Sequence, residues 1–341
     1  MSNCRILTYN DINLRDWNNL VDRSCRATWF QTPNAYAFIA SLPDELIPFA
    51  LGVEYKGNLC AVCVGYVTKE KNVLKHIFTR RAIIIGGPLL AEDISEEALN
   101  VLLNTLKQLG TKRIGEKNIS TPIYIETRNF HDYSRWRDIF EINGFEYQPH
   151  IDIQVTCNEI HTMSEQRRRQ VKKAISNGVT ICEAQTEQEI RDWYSILQHL
   201  YRKKVHTPLF SEDFFLEFHR KEFGKYLLVK HEDKVIGGMM CPILKDKTIY
   251  EWYVCGLDEE YRELYPSVMA TYAAIEYAKE NHIPLFDFMG AGKPDEPYGV
   301  RDFKMEFGGE VVEHGRFLCI RKSMLYAIGK LGVKWLKRCR V

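Results

Sequence analysis

The sequence has little that would place it among metal, redox or membrane-spanning proteins. None of its apolar runs is long enough to cross a bilayer. The ten cysteines are scattered, and only Cys60 and Cys63 form a C-x-x-C pair, without a second pair or a histidine cluster nearby. Core packing within a strand explains this pair better than zinc or redox chemistry. Unpaired cysteines favour a reducing compartment, and Met1–Arg5 lacks the apolar core of a signal peptide, so we expect a cytoplasmic protein.

Familiar signatures of covalent catalysis and of nucleotide binding are also missing. The chain contains no G-x-S-x-G, no H-E-x-x-H and no P-loop. Gly290 and Gly292 are followed by Lys293 and Pro294 instead of the third glycine and helix of a dinucleotide site. We therefore predict no cofactor, and a direct transfer between two bound substrates fits better than a covalent intermediate.

The bulk composition limits the remaining choices. A chain of 341 residues is long enough for two domains, and its 45% hydrophobic and 27% charged content is that of a globular protein. The formal net charge is only +1, which excludes a global attraction to nucleic acid or membranes. Any basic binding site must therefore be local.

The second half of the sequence repeats the order of the first. In each half the pattern predicts a hairpin, a strand, an amphipathic helix and two further strands. The letters Gly144-x-Glu146-x-x-x-His150 also reappear near the end of the second half as Gly308-x-Glu310-x-x-x-His314. A repeat this long indicates a duplicated domain, and hairpins combined with one crossover helix predict an α/β (α+β) fold with two mixed sheets and packed helices.

We predict that the first domain comprises residues 1–155 and the second residues 156–311. A strand expected at 315–320 follows the last repeat, so we expect residues from about 312 to 341 to return to the first domain.

A short stretch of the second half combines an apolar run with glycines. Leu285–Met289 contains one carboxylate, Asp287, and is followed by Gly290 and Gly292. This is the pattern of a buried strand that runs into a loop.

An isolated lysine follows this loop. Phe303, Met305 and Phe307 alternate, which predicts a strand with these residues on one face. Lys304 would then lie on the polar face, where its replacement should have only the small effect of a surface substitution on stability. A fixed positive charge beside a glycine loop suits an oxyanion or a phosphate; the alternative is a solvated strand face.

Two basic clusters stand out against the neutral background. A helix predicted between the halves, ending at Gly178, carries basic residues four positions apart, which form two adjacent rows. The rows are Arg168 with Lys172 and Arg169 with Lys173. A loop predicted at 201–208 carries Lys203 and Lys204. Each cluster is either a site for the phosphates of a substrate or RNA, or a solvated surface.

The tail from Met324 to Val341 mixes apolar and basic residues and includes Trp335. This pattern predicts either a helix on a membrane surface or a C-terminal helix packed on the core.

Several of these segments together resemble one family. Arg168–Gly178, Phe286-Asp287 with its glycines, and Phe303-Lys304-x-x-Phe307-Gly308 are similar to the FemAB-like (peptidoglycan bridge-forming) aminoacyltransferases. These have two tandem acyltransferase folds of the GNAT (acyl-CoA N-acyltransferase) type and add amino acids from aminoacyl-tRNA to peptidoglycan precursors. The resemblance covers nearly the whole chain and includes the repeat described above.

The resemblance implies a transfer site in the second domain. Lys304 would act there, with Phe303 beside it, and would stabilise a developing oxyanion while the acceptor amine attacks the donor carbonyl. Asp287 and Tyr298 would orient that amine. The full set of candidate substrate-binding residues is Arg168, Arg169, Lys172, Lys173, Lys203, Lys204, Tyr253, Asp287 and Tyr298.

The donor is left open between aminoacyl-tRNA and acyl-CoA. The usual CoA loop of GNAT proteins, Arg/Gln-x-x-Gly-x-Gly/Ala, is absent, since Glu260–Ser267 has no glycine at the place where it should stand. An aminoacyl transfer to a cell-envelope precursor is therefore favoured. The alternatives are an acyl-CoA-dependent acyltransferase acting on a surface glycan or lipid, and a non-catalytic binding module on the same fold.

Overall fold

The computed structural model describes residues 3–69, 79–111, 119–157 and 163–338. The hairpin of the first half, which turns at Lys56 and Gly57, shows how local sequence determines these elements. Lys56 and Gly57 both have positive φ (50° and 82°), which is the geometry that joins two strands of a tight antiparallel hairpin. The chain divides into two compact units, residues 1–149 with 314–341 and residues 150–313.

The first unit contains a sheet with helices packed on it. Its strands are β1 Cys4–Thr8, β2 Leu46–Tyr55, β3 Asn58–Thr68, β4 Ala82–Gly86, β5 Leu89–Leu90, β6 Tyr124–Asn129, β7 Glu146–Gln148 and, later in the chain, β16 Arg316–Ile320. Its helices are α1 Leu14–Arg23, α2 Pro33–Ala40, α3 Glu96–Leu106, α4 Arg137–Ile142 and α10 Ser323–Arg338.

The second unit is built in the same way. Its strands are β8 Ile151–Thr156, β9 Thr180–Glu183, β10 Gly224–His231, β11 Lys234–Leu244, β12 Thr248–Tyr250, β13 Tyr253–Gly256, β14 Leu285–Asp287 and β15 Glu310–Glu313. Its helices are α5 Glu165–Ser176, α6 Glu187–Leu200, α7 Glu212–Arg220, α8 Pro266–Glu280 and α9 Gly299–Met305.

The two sheets have the same pairing pattern. The first has the order β1-β2-β3-β4-β6-β16-β7 and the second β9-β10-β11-β12-β14-β8-β15, with β5 and β13 added beside β3 and β11. In each sheet one neighbouring pair is parallel, β4 with β6 and β12 with β14, and the other neighbours are antiparallel. The predicted α/β fold of two mixed sheets with packed helices is confirmed.

The predicted boundary at residue 155 is wrong by one strand. A first domain that ends at residue 155 would include most of β8, but β8 pairs with β14 and β15 in the second sheet. The equivalent place in the first sheet is taken by β16, which pairs with β6 and β7. β8 follows β7 in the sequence but lies in the second sheet, and β16 follows β15 but lies in the first sheet. A local pattern shows that a strand is present but not which sheet it joins.

Apolar helix faces build the two cores. In the second unit α8 contributes Met269, Ala273 and Ile275 to a buried cluster with residues of β11 and β14. In the first unit α3 contributes Leu99, Leu102 and Leu106. Within the described part of the chain, no helix is long and apolar enough to cross a membrane.

Candidate active site

Lys304 lies on a helix, not on the strand that the alternation of neighbouring apolar residues predicted. Helix α9 begins after Tyr298 and ends at Met305. The rings of Phe303 and Phe307 lie 5.3 Å apart between centroids, a contact that a spacing of four residues allows at a helix end. Spacings of two and four both occur in this segment, and the short stretch could not decide between the two periods.

The predicted exposure of Lys304 is also wrong. Its side chain is 9% exposed, and its ammonium Nζ donates to the carbonyl oxygens of Phe288 at 2.8 Å and Gly290 at 2.9 Å. Nζ also lies 2.9 Å from Oε1 of Glu251, whose side chain is 5% exposed. These three partners account for the three hydrogens of the ammonium.

The second sheet has two arms, one with β11 and β12 and the other with β14 and β8. The contacts of Lys304 join these arms at the place where the arms separate. The parallel pairing of β12 with β14 extends over only three residues and ends at Tyr250 and Asp287. Beyond that point Trp252 N donates to Met240 O on one side, whereas Phe288 N donates to Ile153 O on the other. We call the place where the arms part the split. Lys304 binds Glu251 on one arm and the carbonyls after β14 on the other, so it ties the split together.

Glu251 depends on this tie for its charge. Burial raises the pKa of Glu251 above its ordinary value, and the ammonium of Lys304 opposes that effect. Sequence reasoning did not select Glu251, because it stands alone within the mainly apolar segment 248–255 with no motif around it.

A strained turn leaves the second arm. Met289 and Gly290 have φ of 56° and 119°, a conformation that is costly for a residue with a side chain. Carboxylates hold the turn: Asp287 Oδ1 accepts from Met289 N and Asp152 Oδ1 accepts from Gly290 N, both at 2.7 Å. Asp287 therefore fixes the backbone at the split.

Asp287 and Asp152 form a buried carboxyl pair. They are 1% and 3% exposed, and Gln154 Nε2 donates to Asp287 Oδ2 at 2.9 Å. Burial, together with the charge of Asp152 and a hydrogen bond to it, raises the pKa of Asp287 well above its ordinary value. The raised pKa favours the protonated form of Asp287, and protonation of one acid removes the repulsion between two carboxylates buried side by side.

The loop after the turn is held by one arginine. Arg301 on α9 donates from Nε to Ala291 O at 2.9 Å and from Nη2 to Glu296 O at 3.1 Å, and also bonds Lys293 O. The planar guanidinium spreads its donors over a wider fork than an ammonium does, so one side chain can reach carbonyls that are several residues apart. Lys304 and Arg301 together fix the backbone from residue 288 to residue 296.

Tyrosines gather beside this loop. Tyr298, 44% exposed, lies against Gly292, where a Cβ atom would come within 2.9 Å of its ring. The half-buried ring of Tyr253 lies 6.3 Å from that of Tyr201, and burial raises the pKa of Tyr201 to about 12, with smaller contributions from Cys255 and Tyr298. Tyr201 was missed because only the lysines of the loop predicted at 201–208 suggested a binding site. The hydroxyl of Tyr201 remains protonated at neutral pH. A tyrosine hydroxyl at each of the three positions could donate to a substrate.

Arg167, a residue that the sequence analysis did not select, connects α5 to the Phe-Lys motif. Its guanidinium lies 4.6 Å from the ring centroid of Phe303 and its Nε 3.1 Å from Glu306 Oε2. This explains the position of Phe303, which is a packing partner of Arg167 in this structure. The run of arginines in the sequence made Arg167 look like one of several surface charges.

The predicted basic rows on α5 are exposed but partly neutralised. Arg169 pairs with Glu165 and Lys173 with Glu263. The side chains of Arg168 and Lys172 are exposed and form no ion pair or hydrogen bond within the residues that the structure describes. An anionic ligand could therefore pair with Arg168 and Lys172 without displacing a carboxylate of the protein.

The second basic cluster lies on a helical turn and not in the predicted loop. Residues Tyr201–Val205 continue α6 as a single π-helical turn. Lys203 and Lys204 both pair with Glu259, at 2.6 and 3.0 Å. Hydrogen bonds from the two lysines lower the pKa of Glu259 to about 2. This cluster therefore has less net positive charge than its sequence indicates.

The N-terminus of α8 is occupied by the protein's own carboxylate. Its first residue, Pro266, has no N–H, and Ser267 donates its N–H to Asp258 Oδ1 at 3.0 Å and its hydroxyl to the same carboxylate. An anion that approached this end would meet Asp258.

In the first unit, side chains fill the place that corresponds to the split. Gln31 Nε2 donates to the carbonyls of Gly86 and Gly87 at 3.0 and 2.9 Å, and the Tyr133 hydroxyl bonds Gly86 O and Pro88 O. Gln31 and Tyr133 are 0% and 3% exposed.

Comparisons with known proteins agree with this architecture. Residues 163–304 match the acetyltransferase (GNAT) domain family. FemX is similar over 95% of this chain and 99% of its own, with 14% identity and a TM-score of 0.68. L-PGS from Bacillus licheniformis is similar over 94% and 96%, with 13% identity and a TM-score of 0.57. No curated sequence gives a significant match.

A third solved structure, a tandem GNAT protein from the clavulanic acid biosynthesis pathway, is similar over 93% of this chain and 98% of its own, with 10% identity and a TM-score of 0.55. The chain thus has the tandem GNAT fold, and the resemblance to FemAB-like proteins predicted from the sequence is confirmed.

Proposed function

We propose that the protein transfers an aminoacyl group to an amino group of a cell-envelope precursor such as a peptidoglycan peptide. The observation that carries the proposal is the tied split in the second unit, which lies in a GNAT-type domain beside half-exposed tyrosines. The names of two similar structures, FemX and L-PGS, support transfer of this kind, and FemX is the more similar of the two.

In this proposal the acceptor amine attacks the donor carbonyl directly. No covalent intermediate is needed, since the protein's part is to hold two substrates at the correct distance and to stabilise the developing charge. Lys304 has no ammonium hydrogen to spare in this structure, so a role as oxyanion donor requires that it release a carbonyl. Its primary role is then to position the carbonyls of Phe288 and Gly290 and the loop that follows.

Aminoacyl-tRNA is the donor that we favour over acyl-CoA. Asp258 caps the helix end at which a pyrophosphate would be held, whereas α5 offers Arg168 and Lys172 to a phosphate backbone. The tandem GNAT fold alone would also fit an acyl-CoA-dependent transfer to a glycan or lipid, which is the alternative.

Transfer assays with both donors test the proposal. We expect the purified chain to transfer a labelled amino acid from charged tRNA, and not acetyl from acetyl-CoA, to envelope precursors. Mass spectrometry of precursors from a deletion strain identifies the acceptor. Turnover with acetyl-CoA alone would establish the alternative, and binding of tRNA without any transfer would indicate a binding module.

Reversal of the charges on α5 tests the donor separately. Replacement of Arg168, Arg169, Lys172 and Lys173 by Glu should weaken tRNA binding and reduce the steepness of its salt dependence. A matched control replaces four exposed lysines elsewhere in the second unit by Glu, at positions Lys221, Lys234, Lys245 and Lys279. If both quadruple variants bind tRNA with the same affinity and salt slope, α5 does not contact the donor.

We further propose that α10 touches the membrane surface where lipid-linked precursors lie. Met324, Ile328 and Leu331 are 78%, 50% and 68% exposed and recur at helical spacing. Residues 321–341 contain seven Lys or Arg and no Asp or Glu, which suits anionic lipid.

Flotation with vesicles tests this contact. The full chain should float with phosphatidylcholine vesicles that contain phosphatidylglycerol, and a chain ending at Arg321 should not. Ile328→Glu should reduce flotation, whereas Ile142→Glu, at a position 82% exposed in the same unit, should not. Equal flotation of all four proteins would exclude the membrane role of α10.

A further inference from the structure

Two arginines face each other on neighbouring strands of the first sheet. Arg128 on β6 and Arg316 on β16 are directly opposed in the antiparallel register. Their neighbours Thr127 and Phe317 are buried at 0% and 1%, so the arginines lie on the opposite face of the sheet from that part of the core. Like charges in opposed positions destabilise a sheet, so this arrangement needs compensation.

One carboxylate compensates both arginines. Glu126 Oε1 accepts from Arg128 Nε at 2.6 Å and from Arg316 Nη1 at 3.2 Å. Burial raises the pKa of Glu126, but the two guanidinium groups outweigh burial and the pKa lies below its ordinary value. The three side chains therefore remain charged at neutral pH and carry one excess positive charge.

A third arginine adds to this excess. The positive charge of Arg81, just before β4, acts on Glu126 and on the buried hydroxyl of Tyr66. Arg81 forms no ion pair among the residues that the structure describes. Counted together, Glu126, Arg128, Arg316 and Arg81 carry two more positive than negative charges, and the strands hold Arg128 and Arg316 opposite each other.

The cluster can be reached by a ligand and has donors to offer. The side chains of Arg128 and Arg316 are 34% and 28% exposed. Within the described part of the chain, Nη1 and Nη2 of Arg128 form no hydrogen bond. Such a guanidinium fork matches two oxygens of a phosphate, and partial burial reduces screening by salt.

We propose that Arg128, Arg316, Arg81 and Tyr66 form a binding site for a phosphate group. A doubly charged phosphate would balance the two excess positive charges, whereas a carboxylate would balance only one. If the protein is the transferase proposed above, the phosphate belongs to the acceptor; the binding site itself does not depend on that function.

Calorimetric titration with inorganic phosphate, at an ionic strength held constant with chloride, tests the site without any transfer assay. Arg128→Gln should weaken phosphate binding by about tenfold or more, as expected for the loss of a charge-assisted hydrogen bond. This variant should fold, because Glu126 keeps Arg316 as a partner. Arg5→Gln, which removes a 70% exposed arginine from the same unit, is the matched control and should bind as the unchanged protein does.

A second variant must change the affinity in the opposite direction. Glu126→Gln removes the internal competitor of the phosphate, so binding should tighten severalfold. The proposal is overturned if Arg128→Gln binds phosphate as Arg5→Gln does, or if Glu126→Gln binds it more weakly than the unchanged protein. Acetate binding as tight as that of phosphate would overturn the assignment to phosphate. None of these results would affect the proposed transfer reaction.

Discussion

Replacement of Lys304 by methionine is expected to lower the free energy of unfolding of the second unit by about 3–5 kcal/mol. The substitution leaves Glu251, 5% exposed, without its ion-pair partner, and leaves the carbonyls of Phe288 and Gly290 without their donor. A buried charge that loses its partner must either remain uncompensated or take up a proton. Denaturant unfolding, followed by hydrogen exchange to separate the two units, measures the loss.

Two further variants identify the cause of this loss. Lys293→Met removes a lysine that also pairs with a glutamate, Glu296 at 3.0 Å, but both side chains are more than 60% exposed. It should therefore change stability by no more than about 0.5 kcal/mol. The double variant Lys304→Met, Glu251→Leu should regain much of the stability, since apolar residues often replace a buried ion pair without cost. Equal stabilities of Lys304→Met and Lys293→Met would contradict the buried tie.

Lys304 also illustrates what a sequence can reveal about a site. Its isolation beside a glycine loop marked it correctly as a residue of interest, and Asp287 and the glycines lie at the split as the pattern suggested. Its burial and partner could not be predicted, because Glu251 is more than fifty residues away in the sequence. The same applies to Asp152 and Asp287, which approach only because β8 pairs with β14.

The fold was easier to predict than the site. Apolar residues that recur with periods of two and about 3.6 residues predict strands and helices. The repeated order of these elements indicated that the two halves have the same fold. The return of the strand at 315–320 to the first sheet was expected from the repeat. The place of β8 in the second sheet was not visible, because its residues have the ordinary pattern of a strand. Charge pairing was equally invisible: Lys203 and Lys204 are close in sequence, but Glu259, which neutralises them, is not.

Arg301 gives the second large effect, this time on the rate of transfer. Arg301→Lys keeps the positive charge but loses the fork that binds the carbonyls of Ala291, Lys293 and Glu296. The loop beside the split should then lose its fixed position, and misplaced substrates can lower a rate by about a hundredfold. Stability should fall by only about 1 kcal/mol, because these bonds are partly exposed to water.

The expected pattern separates positioning from folding. Amides of residues 291–298 should exchange with solvent faster in Arg301→Lys, while exchange in the rest of the second unit stays unchanged. The transfer rate at saturating substrate should fall more than the affinity for substrate, since the fixed loop matters most when the two substrates must meet. Arg191→Lys is the matched control: Arg191 is similarly exposed but pairs with Glu187 and Glu212 at a distance from the loop in sequence. An Arg301→Lys protein that transfers at the normal rate, with normal exchange at 291–298, would show that the guanidinium does not organise the site.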